Sequence, residues 1–100
     1  MAGKPQLSAN DIQKGLAALG FEQLPQKSTS HTQWIHKSFR GKFRKVTVDA
    51  HHEPFSNDLV SSMYAQAGLT KREFYAMCSK GGIKAAKRDP IKWLKSLAGK

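Results

Sequence analysis

The hydrophobic positions near the start of the chain recur at helical spacing. Ile12, Leu16 and Leu19 follow one another at intervals of four and three residues, which places them on one face of a helix. Ser8 precedes this segment as an N-cap, and Gly20 follows it as a C-terminal stop. The pattern therefore predicts a first amphipathic helix.

Three strand-like segments follow this helix. Residues 21–26 predict a short strand, in which Pro25 favours an edge position or a strand end because it lacks a backbone donor. Residues 31–37 and 43–50 predict two longer strands. The short turn around 38–41 brings these two strands together as an antiparallel hairpin.

The second half of the chain predicts helices. Residues 56–68 begin with a serine N-cap and end at a glycine. Thr70 and Glu73 form a capping box for a third helix. Gly81-Gly82 then predicts a break, after which Asp89-Pro90 begins a short basic helix. These elements indicate an α+β domain: a three-stranded antiparallel sheet with helices on one face, plus a C-terminal helix.

The alternation of side chains predicts which face of the hairpin carries His31. Val46 and Val48 share one face of the third strand, and that face is the natural core. On the second strand Trp34 is the best core candidate, and this phase turns His31 outward. The alternative phase, with Ile35 inside, would turn His31 inward and argue against a chemical role.

The charge of the chain restricts its partners. The formal net charge is +10, from 17 basic and 7 acidic residues. This excess favours a polyanionic partner, with nucleic acid ahead of an anionic membrane. No apolar run is long enough to cross a bilayer, and no signal-peptide core is visible, so we expect a cytoplasmic protein without a membrane partner. Cys78 is the single cysteine, which excludes an internal disulfide and predicts a small hydrophobic side chain on a helix.

The residues Lys27-Ser28-Thr29-Ser30-His31 predict a polar turn that delivers an imidazole to the start of the second strand. An imidazole flanked by hydroxyl groups and a lysine suits acid–base chemistry on a phosphodiester. The alternative is a solvated surface turn that has no chemical role.

The other histidines favour plainer interpretations. His51, His52 and Glu53 look like a metal cluster, but adjacent strand residues point to opposite faces and would rarely share an ion. We therefore expect no metal site here. His36 is expected to be a partly buried strand residue on the side of Trp34.

An ordered set of short motifs runs from the first helix to the third. The set comprises Leu19-Gly20-Phe21-Glu22, Gln26-Lys27, Ser30-His31, Lys45-Val46-Thr47-Val48 and Gln66-Ala67-Gly68-Leu69. It resembles the HicA toxins of bacterial HicA–HicB toxin–antitoxin modules and covers about residues 8–79. Thr29 stands where the family usually has a glycine before the serine.

The resemblance implies a HicA-like domain over residues 1–79, with a small α-β-β-β-α fold similar to double-stranded RNA-binding domains. It implies a ribonuclease that cuts mRNA without a metal or small-molecule cofactor. Such a toxin inhibits translation and growth until a HicB-like antitoxin binds it. The catalytic histidine of the family's Gly-Ser-His motif corresponds to His31.

Cleavage of RNA without a metal uses the substrate's own 2′-hydroxyl as nucleophile. His31 can act as the base or the acid, and a lysine or arginine can hold the developing phosphorane charge. The candidate RNA-binding residues are Lys27, Thr29, Ser30, Lys42, Arg44 and Lys45. Lys27 is nearest in sequence, whereas the last three would approach His31 across the hairpin.

Ile35 and Phe43 are apolar residues on the face predicted to be open. Such patches usually mark an interface. A stacked RNA base, the antitoxin or the C-terminal helix could cover them, and we favour the antitoxin.

Residues 80–100 form a basic C-terminal extension with seven basic residues and one acidic residue, Asp89. The extension fits a second RNA-binding or ribosome-binding element, an antitoxin contact, or a solvated helix. In the last case Ile91, Leu94 and Leu97 would dock on the domain, and these hydrophobic positions favour docking over a free arm.

Two other functions remain open beside the endoribonuclease. One is a non-catalytic RNA-binding domain of similar fold, and the other is a basic adaptor for an acidic protein. Substitution of His31 separates the first two, because a nuclease would lose cleavage and keep RNA binding.

Overall fold

The order of elements follows the predicted one through the third helix. The computed structural model describes residues 7–25, 31–52 and 54–98. In chain order the elements are α1 (Ala9–Ala18), β1 (Glu22–Gln23), β2 (His31–Phe39), β3 (Lys42–Asp49), a 3₁₀ helix (Ala50–His52), α2 (Asn57–Ala67), α3 (Lys71–Met77), α4 (Lys80–Arg88) and α5 (Pro90–Ala98). The strands form one antiparallel sheet in the order β1-β2-β3. The fold is therefore α+β, with helices that continue to the C-terminal region.

Local capping signals fix where the helices begin. Ser8 Oγ accepts the backbone N–H of Asp11 at 3.0 Å at the start of α1, and Ser56 caps α2 in the same way. Thr70 and Glu73 exchange the two hydrogen bonds of a full capping box at α3. These contacts confirm the predicted starts of the three helices.

The hairpin has a two-residue turn and a bulge. Arg40 and Gly41 form the turn, with φ values of 54° and 82°. Next to the turn the register shifts, because β2 has Lys37 and Ser38 where β3 has only Phe43. Since side chains alternate along a strand, this extra residue decides which residues of β2 and β3 share a face.

The inner face of the sheet is the one predicted from the sequence. Trp34, Val46 and Val48 are 8%, 0% and 1% exposed. Gln13 of α1 lies against this face, where its Oε1 accepts hydrogen bonds from Thr32 Oγ1 at 3.0 Å and Trp34 Nε1 at 3.3 Å. The interaction holds α1 on the inner face and leaves the opposite face turned outward.

His36 supports the hairpin at the bulge. Its ring packs edge-on against Phe21 and Phe39, with ring centroids 5.3 Å away in each case. Its Nδ1 accepts the backbone N–H of Ser38 at 3.1 Å. The prediction of a partly buried strand residue on the side of Trp34 is therefore confirmed.

An ion pair holds the hairpin turn against α3. Arg40 donates to both carboxylate oxygens of Glu73, at 2.8 and 2.6 Å, and to the carbonyl of Gly68 at 3.0 Å. Glu73 is 5% exposed and also accepts the N–H of Thr70. The pair thus links the turn to the helix that packs behind it.

The predicted break at Gly81-Gly82 is wrong. Both glycines lie in the first turn of α4, where Ser79 Oγ caps the helix by accepting the N–H of Gly82 at 3.0 Å. A Cβ on Gly82 would lie 1.8 Å from the carbonyl oxygen of Ala76. Gly82 is therefore required for the close approach of α4 to the end of α3, and an extra helix precedes the predicted last one.

The helices of the extension dock on the remainder of the fold. α4 packs against α1 and α3, and α5 packs against α4. Ala86 is fully buried and Leu94 is 3% exposed, so both belong to the hydrophobic core. Ile91 departs from the prediction because it is 53% exposed. Within the described part of the chain, no helix has the length and apolar character needed to cross a membrane.

Candidate active site

His31 and Asp49 face each other at the open end of the hairpin. They are register partners, the first residue of β2 and the last residue of β3. The His31 Nε2 atom lies 2.8 Å from Asp49 Oδ2, and the two side chains are 56% and 16% exposed. The predicted outward orientation of His31 is confirmed. The pair combines a held imidazole with open access for a ligand.

The 3₁₀ helix holds the carboxylate of this pair. The backbone N–H of His51 donates to Asp49 Oδ1 at 3.0 Å, while Oδ2 contacts His31. A carboxylate bonded to one imidazole nitrogen fixes the orientation of the ring and stabilises its protonated form. The arrangement therefore holds an imidazole, a group suited to proton transfer, in one orientation where a ligand can reach it.

A small cavity lies beside the His31–Asp49 pair, between β3 and α2. Its volume is about 250 Å³. The lining residues are His31, Thr47, Asp49, Phe55, Leu59, Ser62, Met63 and Gln66. Phe55, Leu59 and Met63 provide an apolar wall, and the remaining side chains are polar. The cavity is smaller than most ligand pockets and suits one ring system rather than a large cofactor.

A side chain of α2 ties this helix to the free edge of β3. Gln66 Oε1 accepts the backbone N–H of Thr47 at 3.1 Å. Edge strands present unpaired backbone groups, and this contact satisfies one of them. Because the amide oxygen of Gln66 is engaged, its orientation is fixed and its NH₂ group is the part that can donate to a ligand in the cavity.

Lys45 is the predicted cation that shares the outer face with His31. It is exposed and lies four residues before Asp49 on β3. At a rise of about 3.3 Å per residue this is about 13 Å along the strand, which suits a phosphate farther along a bound polymer. The other predicted contacts on the His31 turn, Lys27, Thr29 and Ser30, lie outside the described residues.

Lys42 and Arg44 do not approach His31. Lys42 pairs with Phe39 beside the hairpin turn, at the opposite end of β3 from Asp49. Arg44 points to the inner side, where its Nε donates to the carbonyl of Phe39 at 3.0 Å. The prediction that these two residues approach His31 across the hairpin is wrong. Lys42 lies too far along the strand, and the alternation of side chains turns Arg44 to the other face. Contact of either residue with RNA elsewhere stays a prediction.

Sequence reasoning missed Asp49 as the partner of His31. A two-residue turn without the bulge would pair His31 with Ala50 and place Asp49 opposite Thr32, on the other face. No residue pattern in the sequence predicts the bulge. Gln66 lies within the motif Gln66-Ala67-Gly68-Leu69, one of those that resemble the HicA toxins. This motif was the sequence feature that could have indicated that α2 belongs to the site.

The described residues offer little for metal or thiol chemistry. Within residues 7–25, 31–52 and 54–98, no three His, Cys, Asp or Glu side chains are grouped closely enough to hold a metal ion. His51 lies in the 3₁₀ helix and not in a continued strand. Cys78 is 6% exposed at the end of α3, and burial together with Asp11 raises the pKa of its thiol to about 12. The thiol therefore stays protonated and is a poor nucleophile.

Two apolar side chains are exposed to different degrees on the outer face of the sheet. Phe43 is 60% exposed, and Ile35 is half-buried between its register partners Lys45 and Glu22. The outward orientation predicted for both residues is confirmed. The face therefore carries an apolar patch beyond the His31–Asp49 pair.

Comparison of the chain with known proteins gave no match. No protein-family model matches it, and neither a curated protein nor a solved structure matches it significantly. The function of the site therefore has to follow from its own residues and geometry.

Proposed function

We propose that the protein is a HicA-like endoribonuclease that cuts mRNA with His31 as its general acid and base. On this proposal it acts in the cytoplasm as the toxin of a toxin–antitoxin pair, on a fold similar to double-stranded RNA-binding domains. The observation that carries the proposal is the accessible His31–Asp49 pair beside a cavity the size of one ring system. The net charge of +10 favours the required polyanionic substrate.

The proposed reaction uses a nucleophile that belongs to the RNA. The 2′-oxygen attacks the adjacent phosphorus as His31 takes the hydroxyl proton, and the bond from phosphorus to the 5′-oxygen breaks. The imidazolium then returns the proton to the departing 5′-oxygen, which leaves a 2′,3′-cyclic phosphate and a 5′-hydroxyl. Asp49 stabilises the imidazolium between these two transfers. No metal or small-molecule cofactor takes part.

The cavity supports this assignment because it can hold a base next to the reacting phosphate. Phe55 offers an aromatic ring, and Gln66 offers a donor whose orientation is fixed by Thr47. Base–aromatic stacking and amide hydrogen bonds are the usual contacts of single-stranded RNA with proteins. Lys45 adds a positive charge farther along the same face.

Substitution of His31 tests the proposal. His31→Ala removes the proton acceptor, so we expect RNA cleavage to fall by about 10²–10⁴-fold. RNA binding should persist, and expression should no longer arrest growth. The matched control is His51→Ala, which removes an exposed imidazole nearby and keeps the backbone N–H that holds Asp49. We expect the control to cut RNA normally.

One result would remove the nuclease assignment, and another would contradict the assignment of the acid–base role to His31 alone. If the wild-type protein binds RNA without cutting it and does not arrest growth, the non-catalytic RNA-binding domain takes its place. If His51→Ala lowers cleavage as much as His31→Ala does, the acid–base role does not belong to His31 alone.

The patch formed by Ile35 and Phe43 is the proposed antitoxin contact. Burying apolar side chains against a partner contributes most of the energy at the centre of an interface. Ile35→Ala with Phe43→Ala should weaken binding of a HicB-like antitoxin by about 10-fold or more. The control is Ile91→Ala, since Ile91 is also about half exposed and lies on α5. Unchanged affinity of the double variant would place the antitoxin elsewhere.

A further inference from the structure

A second concave surface lies between α4 and α5, outside the His31 cavity. We call it the α4–α5 groove, and its volume is about 640 Å³. Its lining residues are Gly81, Lys84, Ala85, Arg88, Asp89, Lys92, Trp93 and Ser96. The groove shares no residue with the cavity beside His31.

The sequence spacing explains why these residues form one surface. In α4 the lining positions are 81, 84, 85 and 88; the second set consists of Asp89, which precedes α5, and positions 92, 93 and 96 of α5. Both sets follow the i, i+3, i+4, i+7 pattern of a single helix face. The chain turns at Asp89, which ends α4 and accepts the N–H of Lys92 at the start of α5. The two faces therefore meet across one groove.

The rim of the groove is strongly basic. Lys84, Arg88 and Lys92 are all exposed. Asp89 is the single acidic residue of the lining, and its Oδ1 is engaged in capping α5. Lys84 and Arg88 lie four residues apart on α4, which places them side by side along the helix. The rim thus offers adjacent cations to a chain of negative charges.

The floor of the groove is aromatic and open. Trp93 is half-buried: it packs against the core and also lines the groove. Gly81 borders open space, because a Cβ added there would meet no atom within 4 Å. The neighbouring Gly82, in contrast, is packed against α3. A half-buried indole that lines a groove next to three cations can stack on a flat ligand that also carries negative charge.

We propose that the α4–α5 groove binds single-stranded nucleic acid, with phosphates at Lys84, Arg88 and Lys92 and one base on Trp93. An acidic peptide would satisfy the cations and leave the indole without a flat partner, whereas a nucleotide carries both groups. α4 packs on α1, and α1 covers the inner face of the sheet, so the groove lies away from the outward-facing His31. The groove is a binding site separate from the candidate active site.

The test compares two triple variants of the full-length protein. Lys84→Gln, Arg88→Gln and Lys92→Gln remove the charges of the groove. Lys80→Gln, Lys87→Gln and Lys95→Gln remove the same charge from α4 and α5 at positions outside the groove. The probes are a short oligothymidylate and a 2′-O-methyl oligouridylate. Neither has a 2′-hydroxyl to attack the phosphodiester, so neither is cleaved. Fluorescence anisotropy measures both affinities over a range of salt concentrations.

We expect the groove variant to bind both probes at least about 10-fold more weakly than the control variant. The slope of log affinity against log salt should fall by about two, since each phosphate contact contributes about 0.7 for a single strand. Equal losses in the two triple variants would overturn the proposal, because nonspecific attraction would then explain the binding.

Substitutions of Trp93 distinguish the contribution of base stacking to the binding affinity from the contribution of charge. Trp93→Ala should weaken oligothymidylate binding by about 5- to 100-fold, as for other stacked bases. Trp93→Phe should keep most of the affinity, and thermal unfolding reports whether either variant is folded. An abasic oligomer should bind the wild-type protein, Trp93→Ala and Trp93→Phe with the same affinity. If Trp93→Ala weakens binding of the abasic oligomer as much as it weakens binding of oligothymidylate, the base does not stack on the indole and the proposal fails.

Asp89→Asn gives a gain-of-affinity test. Asn caps helices about as well as Asp, so α5 should remain, and removal of the negative charge should tighten oligothymidylate binding.

A polyglutamate probe tests the competing ligand class, an acidic peptide. If polyglutamate binds the groove more tightly than the oligonucleotides do, the groove is a site for an acidic protein and the nucleic-acid assignment is overturned.

Discussion

The β2–β3 hairpin carries a basic side chain in contact with a carboxylate at each end, and the two pairs differ in burial. At the turn, Arg40 contacts both oxygens of Glu73, whose side chain is 7% exposed. At the open end, His31 contacts one oxygen of Asp49, and its side chain is 56% exposed. The same type of contact thus stabilises the fold where the carboxylate is almost buried, and it stays accessible to a ligand where the imidazole is exposed.

The pKa values at the turn show why that pair is structural. Burial raises the pKa of Glu73, but hydrogen bonds from Arg40 and Thr70 and attraction to the guanidinium outweigh it. The resulting pKa lies below the ordinary value of 4.5. The hydrogen bond to Glu73 also raises the pKa of Arg40. Both groups remain charged at neutral pH, so this end of the hairpin has no proton to exchange.

The largest change in stability should come from Glu73→Ala. This substitution removes the ion pair and the half of the capping box in which the Thr70 N–H donates to the Glu73 carboxylate. Because Arg40 is about one-third exposed, water replaces part of its interaction. We expect a loss of about 3 kcal/mol in the free energy of unfolding: about 2 from the charged hydrogen bonds and about 1 from the cap. Urea denaturation measures it.

Glu73→Gln is the matched variant, because glutamine can retain the capping hydrogen bond. It should lose about 2 kcal/mol at neutral pH. A carboxylate with a lowered pKa in the folded state stabilises the fold above its unfolded pKa and loses that contribution as pH falls through the folded value. The difference between wild type and Glu73→Gln should therefore shrink as pH falls below about 4.5. A pH-independent difference would contradict the ion-pair explanation.

The second-largest effect should come from Asp49→Asn, at the other end of the hairpin. The variant keeps the size of the side chain and removes the charge that stabilises the His31 imidazolium. A hydrogen bond to a charged group contributes about 1.5–3 kcal/mol, so the single-turnover rate of RNA cleavage should fall by about 10- to 100-fold. RNA affinity and the urea midpoint should change little, which distinguishes positioning of His31 from folding.

Asp58→Asn is the control for this substitution, since Asp58 is an exposed acidic residue in the first turn of α2. It should leave the cleavage rate unchanged. If Asp49→Asn lowers RNA affinity and the rate in parallel, Asp49 contributes to binding and not to the acid–base step.

Features set by neighbouring residues were predictable from the sequence. The caps at Ser8 and Thr70 depend on a side chain and a backbone N–H three residues away. The orientation of His31 followed from Trp34 and Val46, because side chains alternate along strands whatever lies beyond them. These features required no knowledge of tertiary contacts.

Features set by distant contacts were not predictable. The sequence pattern at Gly81-Gly82 resembles a break, and only the carbonyl of Ala76 in the preceding helix shows why α4 needs a glycine there. The pairing of His31 with Asp49 likewise depends on a bulge located beside the other end of the hairpin. A shift of one residue at that bulge would move the carboxylate to the opposite face.

The smallest expected effect tests whether His36 fixes this bulge. His36→Leu keeps an apolar side chain between Phe21 and Phe39 and removes the acceptor for the N–H of Ser38. The lost hydrogen bond is exposed, so water replaces part of it, and we expect about 0.5–1 kcal/mol of destabilisation. Hydrogen exchange of the Ser38 amide should accelerate, and RNA cleavage should fall a few-fold as the register of His31 loosens.

His36→Asn is the complementary variant, because the asparagine side chain can accept a hydrogen bond from the backbone two residues on. It loses the ring contacts and keeps the acceptor. If the hydrogen bond fixes the register, His36→Asn should be the less stable protein in urea and yet protect the Ser38 amide and cleave RNA better than His36→Leu. If unfolding, amide exchange and cleavage instead change together in both variants, packing of the ring alone holds the bulge. The alignment of His31 with Asp49 would then depend on the aromatic cluster of Phe21 and Phe39 and not on the imidazole nitrogen.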